Sequence, residues 1–165
     1  MSSTDRGPEI RSSPPALLAC ANMSIELNVR RLHPRARLPR PGSPQATGLD
    51  LFACLDDPIV LTQTPRMIPC GIAVEFPYGY DAQVRPRSGL SAKGVGVAFG
   101  TVDADYRGEL LVTMWIFGDL ASYQINDGDR IAQLVLAPVA VPEVVEVREL
   151  SETVRGVGGH GSTGR

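Results

Sequence analysis

The chain has 165 residues, enough for one domain with a hydrophobic core of its own. Its 16 basic and 18 acidic residues give a formal net charge of -2. No broad field is therefore expected to attract nucleic acid or a membrane, and any anion site must be local. The longest apolar run, 131–141, is too short and too interrupted to cross a bilayer, which predicts a soluble protein.

The cysteines indicate the compartment in which the protein works. Cys20, Cys54 and Cys70 are odd in number and widely separated, and the chain has no CxxC pair and only two histidines. This pattern favours free thiols in a reducing compartment and argues against a structural zinc site. We therefore expect a cytoplasmic protein.

Residues 1–23 differ in composition from the rest of the chain. They are rich in Ser and Pro, and their one apolar patch, 16–21, follows acidic as well as basic residues. That order does not match a signal or transit peptide, so 1–23 are predicted to form a flexible N-terminal extension. Because a well-patterned segment opens at Met23, we expect the biological start to lie there.

Residues 24–150 are predicted to form one all-β domain. Apolar residues recur at every second position, Pro and Gly interrupt the pattern often, and only 88–93 could make a helical turn. Many short strands with little helix indicate a sandwich, a jelly roll or a barrel. The predicted strands include 25–29, 59–61, 72–76, 110–116, 131–139 and 144–147.

Two further segments carry isolated polar side chains in apolar surroundings. Asp50 lies in the run 47–53, and Arg130 and Gln133 interrupt the run 128–134. Such residues usually close hydrogen bonds with neighbouring strands, so a structural role is the simplest interpretation of each segment alone.

Segment 85–93 combines cations with a hydroxyl group. Arg85 and Arg87 precede Ser88 at the start of the predicted helical turn, and a helix N-terminus beside cations favours phosphate. Considered alone, a solvated turn capped by Ser88 is the simpler interpretation. A hydrolase triad built on Ser88 is not expected, because the flanking GxSxG elbow is missing.

Segment 100–109 gathers carboxylates, an aromatic ring and a cation within one short turn. Asp103, Asp105, Tyr106 and Arg107 follow one another closely. Such a cluster is suited to a polar, charged ligand.

The C-terminal residues 153–165 are rich in glycine, which predicts a frayed terminus from composition alone. Their glycine amides, hydroxyls and Arg155 also suit an anion nest, with His160 as a flat ring that stacks on a base. The run 156–161 matches GxGxxG. A dinucleotide site is not expected, because neither a helix nor a suitably spaced acidic residue follows.

Five of these segments occur in a fixed order. They are Thr-Gly-Leu-Asp-Leu from Thr47, Pro-Arg-Ser-Gly-Leu from Pro86, Gly-Thr-Val-Asp-Ala-Asp-Tyr-Arg-Gly from Gly100, Gly-Asp-Arg-Ile-Ala-Gln from Gly128 and Arg-Gly-Val-Gly-Gly-His-Gly-Ser-Thr-Gly from Arg155. Together they resemble the motifs of the homotrimeric dUTPase (deoxyuridine 5'-triphosphate nucleotidohydrolase) family. The resemblance implies a jelly-roll-like β-barrel, a homotrimer with active sites at subunit interfaces, and a C-terminal arm, 151–165, that closes over the site.

The implied reaction is hydrolysis of dUTP to dUMP and pyrophosphate with Mg²⁺ on the triphosphate. It limits uracil incorporation into DNA and supplies dUMP for dTTP synthesis. One alternative is a dCTP deaminase, or a bifunctional deaminase and dUTPase, of the same fold. Another is a nucleotide-responsive binding protein. The Pro-Arg-Ser-Gly-Leu form and the full glycine-rich arm favour the hydrolase.

The resemblance also implies roles for residues of the 100–109 segment. Asp103 would be the general base for the water that attacks the α-phosphorus, and Tyr106 would be the wall that rejects a ribose 2′-hydroxyl. Asp105 is expected to be structural. Backbone contacts with the uracil edge and the nearby substrate are implied for Thr101, Val102 and Leu111.

Phosphate contacts are implied for the other segments. Asp50 would reach Mg²⁺ through coordinated water, and Arg130 would position neighbouring carboxylates. The residues implied to bind the phosphates or close over them are Arg87, Ser88, Gly89, Gln133, Arg155, Gly161, Ser162 and Thr163.

Two positions depart from the family pattern. His160 stands where relatives commonly carry phenylalanine; imidazole can still stack on uracil, but more weakly when protonated. The interval 94–102 is shorter than in many bacterial relatives and lacks their asparagine and Pro-Gly turn. We therefore assign no side chain to uracil recognition there.

Overall fold

The computed structural model describes residues 24–158, whose regular secondary structure is almost entirely β-strand. The all-β prediction is confirmed, as is a single helical turn within 88–93. The elements of this part of the chain are β1 (Asn28–Arg31), β2 (Arg40–Pro41), β3 (Leu49–Phe52), β4 (Ile59–Leu61), β5 (Arg66–Pro69), β6 (Ile72–Glu75), β7 (Tyr80–Arg85), α1 (Ser88–Ser91), β8 (Val95–Val97), β9 (Gly100–Val102), β10 (Leu111–Ile116), β11 (Tyr123–Ile125) and β12 (Arg130–Pro138).

The described strands pair in four antiparallel sheets. β1 pairs with β6, β11 pairs with β4, and β10 lies between β5 and β8. The largest sheet has the order β2-β3-β12-β7-β9. Because the strands are short and each sheet has one buried face, the sheets fold around a shared interior.

All four sheets contribute to that hydrophobic core. Leu51 in β3, Leu61 in β4, Ile68 in β5 and Ile72 in β6 are each almost fully buried. Burying one such side chain stabilises the fold by about 1.5–3 kcal/mol. Burial of these side chains in one cluster is therefore what joins the four sheets.

The five-stranded sheet positions most of the residues singled out in the sequence. β12 lies between β3 and β7, so that Gln133 stands opposite Asp50 on one side and Arg85 on the other. On its other side β7 pairs with β9, and Ala82 stands opposite Val102. The predicted polar segments thus lie on neighbouring strands.

The predicted strand at 144–147 is wrong. These residues follow β12 as irregular chain, and Val144 is 92% exposed. Alternating Val and Glu meet the two-residue period, but a strand also needs a neighbour for its backbone hydrogen bonds. The described residues give 144–147 no such neighbour. At the other end, the prediction for 25–29 holds only from Asn28 onward.

The cysteine prediction is confirmed for the two described cysteines, Cys54 and Cys70, which are free thiols. Burial raises the pKa of Cys70 to about 12 and also raises the pKa of Cys54, so both thiols stay protonated at neutral pH. Cys20 and the rest of the extension 1–23 lie outside the described residues. Within 24–158, no helix is long and apolar enough to cross a membrane.

Gly71, between β5 and β6, lies where the core leaves no room for a side chain. Its φ of +66° is left-handed, and an added Cβ would lie 2.8 Å from Cys54 Sγ and 2.9 Å from Ala36 Cβ. We expect Gly71→Ala to lower the free energy of unfolding by about 2–4 kcal/mol, because overpacking adds to the backbone strain. Urea denaturation measures the change.

The matched control is Gly79→Ala. Gly79 has a φ of +89°, and an added Cβ there meets nothing within 4 Å. Only the backbone cost, about 1 kcal/mol, is expected at this position. Equal losses in the two variants would contradict a packing role for Gly71.

Candidate active site

The candidate site residues fall into two groups on the two sides of β7, one on the β12 side and one on the β9 side. The first group lies near Arg85, where β7 ends, and joins residues of β3, α1 and β12. The second group lies near Ala82 and joins β9 to the turn that follows it. We call them the arginine cluster (Asp50, Arg87, Arg130, Gln133) and the hairpin pocket (Thr101, Val102, Asp103, Tyr106, Leu111).

The arginine cluster is organised by one carboxylate. Asp50 is only 7% exposed, and its Oδ1 pairs with Arg87 Nε at 3.2 Å while its Oδ2 pairs with Arg130 Nη1 at 3.2 Å. Arg87 also donates from Nη1 to the Arg130 carbonyl at 3.0 Å. Two guanidinium groups on one carboxylate leave net positive charge, which suits a phosphate.

Gln133 lies beside this ion pair because Gly48 leaves room for it. The residue stands opposite Asp50 in the β3–β12 ladder and is half-buried. A Cβ added to Gly48 would overlap the Gln133 amide and would lie 3.1 Å from its Cβ. The glycine before β3 therefore lets the Gln133 amide rest against the backbone of Gly48.

The helical turn α1 adds a second phosphate-compatible element. Its N-cap is Arg87, with no side-chain capping hydrogen bond, so the alternative of a turn capped by Ser88 is wrong. Ser88 and Gly89 are exposed. A cavity of about 350 Å³ lies beside the turn, lined by Arg87, Gly89, Leu90, Lys93, Tyr123, Ile125, Asp129 and Arg130.

The hairpin pocket is a cavity of about 200 Å³ whose lining includes all five residues that define it. Asp103 and Tyr106 are exposed, and the Tyr106 amide donates to the Asp103 carbonyl at 3.1 Å, which closes the turn. Among the described residues, nothing donates a hydrogen bond to the Asp103 carboxylate. The carboxylate is therefore available to a water molecule.

Two residues that the sequence pattern does not reveal hold this turn. Arg107 donates from Nη1 to the Ala104 carbonyl at 2.7 Å and to the Tyr106 carbonyl at 3.1 Å, and its Nη2 pairs with Glu75 at 3.0 Å. Glu109 accepts a hydrogen bond from the Gly71 amide at 2.7 Å. The charge of Arg107 was visible in the sequence, but its partner on a distant strand was not.

The structural role expected for Asp105 stays a prediction. Asp105 is exposed and makes no hydrogen bond or ion pair with other residues of 24–158. Within 24–158, Arg107 and Glu109 make the side-chain hydrogen bonds that hold this turn.

Arg155 is the one predicted contact of the C-terminal arm within the described residues. It lies in an exposed turn and donates from Nε to the Gly158 carbonyl at 2.8 Å. It makes no ion pair with the rest of 24–158, so within one chain neither group of site residues includes it. The other predicted arm residues, His160, Gly161, Ser162 and Thr163, lie outside the described residues.

A metal ion would find few protein ligands in this part of the chain. Between residues 24 and 158 there is no group of three or more His, Cys, Asp or Glu side chains that could hold one. Asp50 is the carboxylate nearest the arginines, and both of its oxygens already accept from guanidinium groups. The donors present fit a Mg²⁺ that arrives with a triphosphate and is reached through water.

Comparison with known proteins gives concordant results. The dUTPase family model matches residues 34–164. The deoxyuridine 5'-triphosphate nucleotidohydrolase of Syntrophotalea carbinolica is 48% identical over 145 residues, covering 86% of this chain and 98% of the relative. The enzyme of the same name from a Hydrogenobaculum species is 49% identical over 144 residues, covering 85% and 99%.

Solved structures agree with the sequence relatives. The dUTPase of Staphylococcus bacteriophage 80alpha, determined with dUPNHPP, superposes with a TM-score of 0.75 at 32% identity, covering 85% of this chain and 99% of the phage chain. A mutant dUTPase from phage phi11 of S. aureus gives a TM-score of 0.67 at 30% identity over 75% of this chain and 97% of its own. That structure is described as revealing the coordination of a structural Mg(II) ion.

The two ion pairs of Asp50 are expected to stabilise the fold. Asp50→Asn removes the charge that compensates two guanidinium groups, one of them largely buried, and is expected to lower the free energy of unfolding by about 2–4 kcal/mol. Urea denaturation at fixed protein concentration measures it. The matched control is Glu75→Gln, whose pair with Arg107 is about half exposed and contributes about 1 kcal/mol or less. A loss at Asp50 no larger than at Glu75 would contradict this account.

Proposed function

The chain belongs to the dUTPase family, and we propose that it hydrolyses dUTP to dUMP and pyrophosphate as a dUTP diphosphatase of the cytoplasm. The family match over 34–164 carries the proposal. The arginine cluster and the hairpin pocket supply the chemistry, since one is cationic and the other pairs a free carboxylate with an aromatic wall. Hydrolysis limits uracil incorporation into DNA and yields dUMP for dTTP synthesis.

Asp103 acts as the general base. Water bound to its carboxylate attacks the α-phosphorus, the new bond forms from the water oxygen, and the bond from that phosphorus to the pyrophosphate oxygen breaks. The proton of the water passes to Asp103. The exposure of Asp103 and the absence of a described donor to its carboxylate support this role.

The arginine cluster and α1 hold the phosphates. Arg87 directs a guanidinium at the triphosphate, and Ser88 and Gly89 offer a hydroxyl and amides at the start of the turn. Gln133 contacts the α-phosphate, while Arg130 acts mainly through Asp50. The cavity beside α1 and the two ion pairs of Asp50 support this division.

The hairpin pocket holds the nucleoside. Backbone groups of Thr101 and Val102 face the uracil edge, with Leu111 contributing its backbone from β10. The Tyr106 ring lies against the deoxyribose and leaves no room for a 2′-hydroxyl. The lining of the 200 Å³ cavity by all four residues supports this assignment.

Asp50 would hold a Mg²⁺ ion of the bound triphosphate through coordinated water. When bound, the ion supplies charge neutralisation on the phosphate oxygens. Asp50 itself keeps Arg87 and Arg130 in position. Asp50 is the one buried carboxylate of this cluster, and 24–158 holds no group of three or more metal-binding side chains, which supports a metal that is not caged by protein alone.

The active enzyme is a homotrimer whose sites draw on more than one subunit. Val102 and Gln133 are three residues apart along β7 and two strand spacings apart across the sheet, or about 14 Å. Strand side chains stand roughly perpendicular to the sheet, so they do not close this gap. One chain therefore does not bring Asp103 and Gln133 to the same phosphorus.

Exposed apolar surface also supports the trimer. Met67 on β5 is 66% exposed, and a monomer rarely leaves many such side chains in water. The chain after β12 adds a further exposed series, comprising Val139, Val141, Val144, Val145, Val147, Leu150, Val154 and Val157.

Residues 151–165 form an arm that closes over the site. Arg155 binds the γ-phosphate, and Gly161, Ser162 and Thr163 close around the same group, with His160 stacked on the uracil. Residues 151–157 are exposed, and within 24–158 Arg155 makes no hydrogen bond or ion pair with either group of site residues. Both observations support delivery of the arm to a site elsewhere in the trimer.

A substrate panel separates this function from its alternatives. Purified protein with Mg²⁺ is offered dUTP, dCTP, UTP and dTTP while pyrophosphate and ammonia are monitored. We expect pyrophosphate from dUTP and little product from the others. Ammonia from dCTP would support a deaminase of the same fold, and no turnover of any nucleotide would support a binding protein.

Asp103→Asn tests the proposed base. We expect kcat to fall by about 10²–10⁴-fold while nucleotide affinity persists, because the amide can hold water but cannot accept its proton. Single-turnover hydrolysis and equilibrium binding of dUTP measure the two effects. Asp105→Asn, two residues away and equally exposed, is the matched control and should retain kcat. Near-normal turnover in Asp103→Asn would exclude Asp103 as the base.

A further inference from the structure

The Tyr106 ring lies directly against the backbone of Gly108. A Cβ added to Gly108 would be 2.5 Å from Tyr106 Cζ and 2.9 Å from Cε2, closer than real Cβ atoms approach their neighbours. The φ of Gly108 is not left-handed, so the turn itself does not require glycine at this position. The close approach of the ring does.

A hydrogen bond holds the same hydroxyl end of the ring. The Tyr106 hydroxyl donates to the Glu109 carbonyl at 3.0 Å. Because the side chain is 45% exposed, few other contacts restrain it. The depth of the ring over the hairpin therefore depends on the missing side chain of Gly108 and on the position of the Glu109 carbonyl.

That carbonyl is anchored to the core. The Gly71 amide donates to Glu109 Oε1 at 2.7 Å, the Leu110 amide donates to the Ile72 carbonyl at 2.9 Å, and the Cys70 amide donates to the Leu110 carbonyl at 3.0 Å. Leu110, Cys70 and Ile72 are each at most 2% exposed. Three hydrogen bonds to buried backbone therefore hold the segment that carries the Glu109 carbonyl, and the Glu109 side chain accepts one of them.

We propose that Gly108 is a specificity-determining residue for the sugar, because its lack of a side chain lets the Tyr106 ring lie at the depth that admits deoxyribose and excludes ribose. Glu109 is the positioning residue that fixes the acceptor of the Tyr106 hydroxyl. The inference rests on the proposed function of Tyr106 as the sugar wall. It assigns the selectivity to a backbone contact as well as to the ring.

The decisive quantity is the ratio of kcat/KM for dUTP to kcat/KM for UTP. Gly108→Ala displaces the ring, and we expect it to lower this ratio by about tenfold, as expected for a steric pocket misfitted by one methyl group. In a Tyr106→Ala background, the same change should have no further effect on the ratio. Such non-additivity identifies an effect that acts through the ring.

A second pair of variants covers the case in which Gly108→Ala does not fold. Glu109→Gln keeps a side-chain oxygen for the Gly71 amide and should retain the wild-type ratio, whereas Glu109→Ala removes it and should lower the ratio several-fold. Thermal unfolding of each variant reports whether loss of the fold, rather than movement of the ring, explains a change.

The outcomes distinguish the inference from the function on which it rests. An unchanged ratio in folded Gly108→Ala, or an equal fall with and without Tyr106, overturns the inference alone. An unchanged ratio in Tyr106→Ala overturns the sugar wall and the inference together. A wild-type protein without dUTP hydrolysis overturns both the proposed function and the inference.

Discussion

The position of β7 between β12 and β9 is the constraint on which the rest of the structure depends. Antiparallel pairing on both sides fixes Arg85 opposite Gln133 and Ala82 opposite Val102. A slip of one residue would turn Ala82 from the core to the solvent face, so burial holds the register. The same register places Val102 about 14 Å from Gln133, and the proposed trimer would bring residues of the two groups together across a subunit interface.

The charge of the arginine cluster is set by three side chains, Asp50, Arg87 and Arg130, and the net charge of the chain does not predict it. A nearly buried carboxylate such as Asp50 is costly without partners, and two guanidinium groups repel each other without it. The three-residue arrangement satisfies both requirements before any ligand binds. It also leaves an excess of positive charge beside α1, and the polyphosphate of the proposed function would therefore need little reorganisation of these side chains on binding.

The sequence predicts those features that depend on local pattern. The strands at 72–76 and 110–116 have clear two-residue periods and are present, whereas 144–147 has the same period but no described neighbour to pair with. Asp50 was identifiable as unusual in its apolar run, yet its partners Arg87 and Arg130 come from distant segments and depend on register. Arg107 and Glu109 were beyond prediction for the same reason, since Glu75 and Gly71 adjoin them only after folding.

The short interval 94–102 makes the position of the backbone around the hairpin pocket important for the proposed function. Without the asparagine of many relatives, base recognition as proposed falls to the main chain of Thr101 and Val102, and a main-chain donor or acceptor discriminates only if it cannot move. β9 is held by its pairing with β7, and the turn after it is held by Arg107. The Tyr106 ring is fixed in the same way, by a carbonyl anchored to the core. Selectivity in this pocket then resides less in which side chains are present than in how little the backbone beneath them can shift.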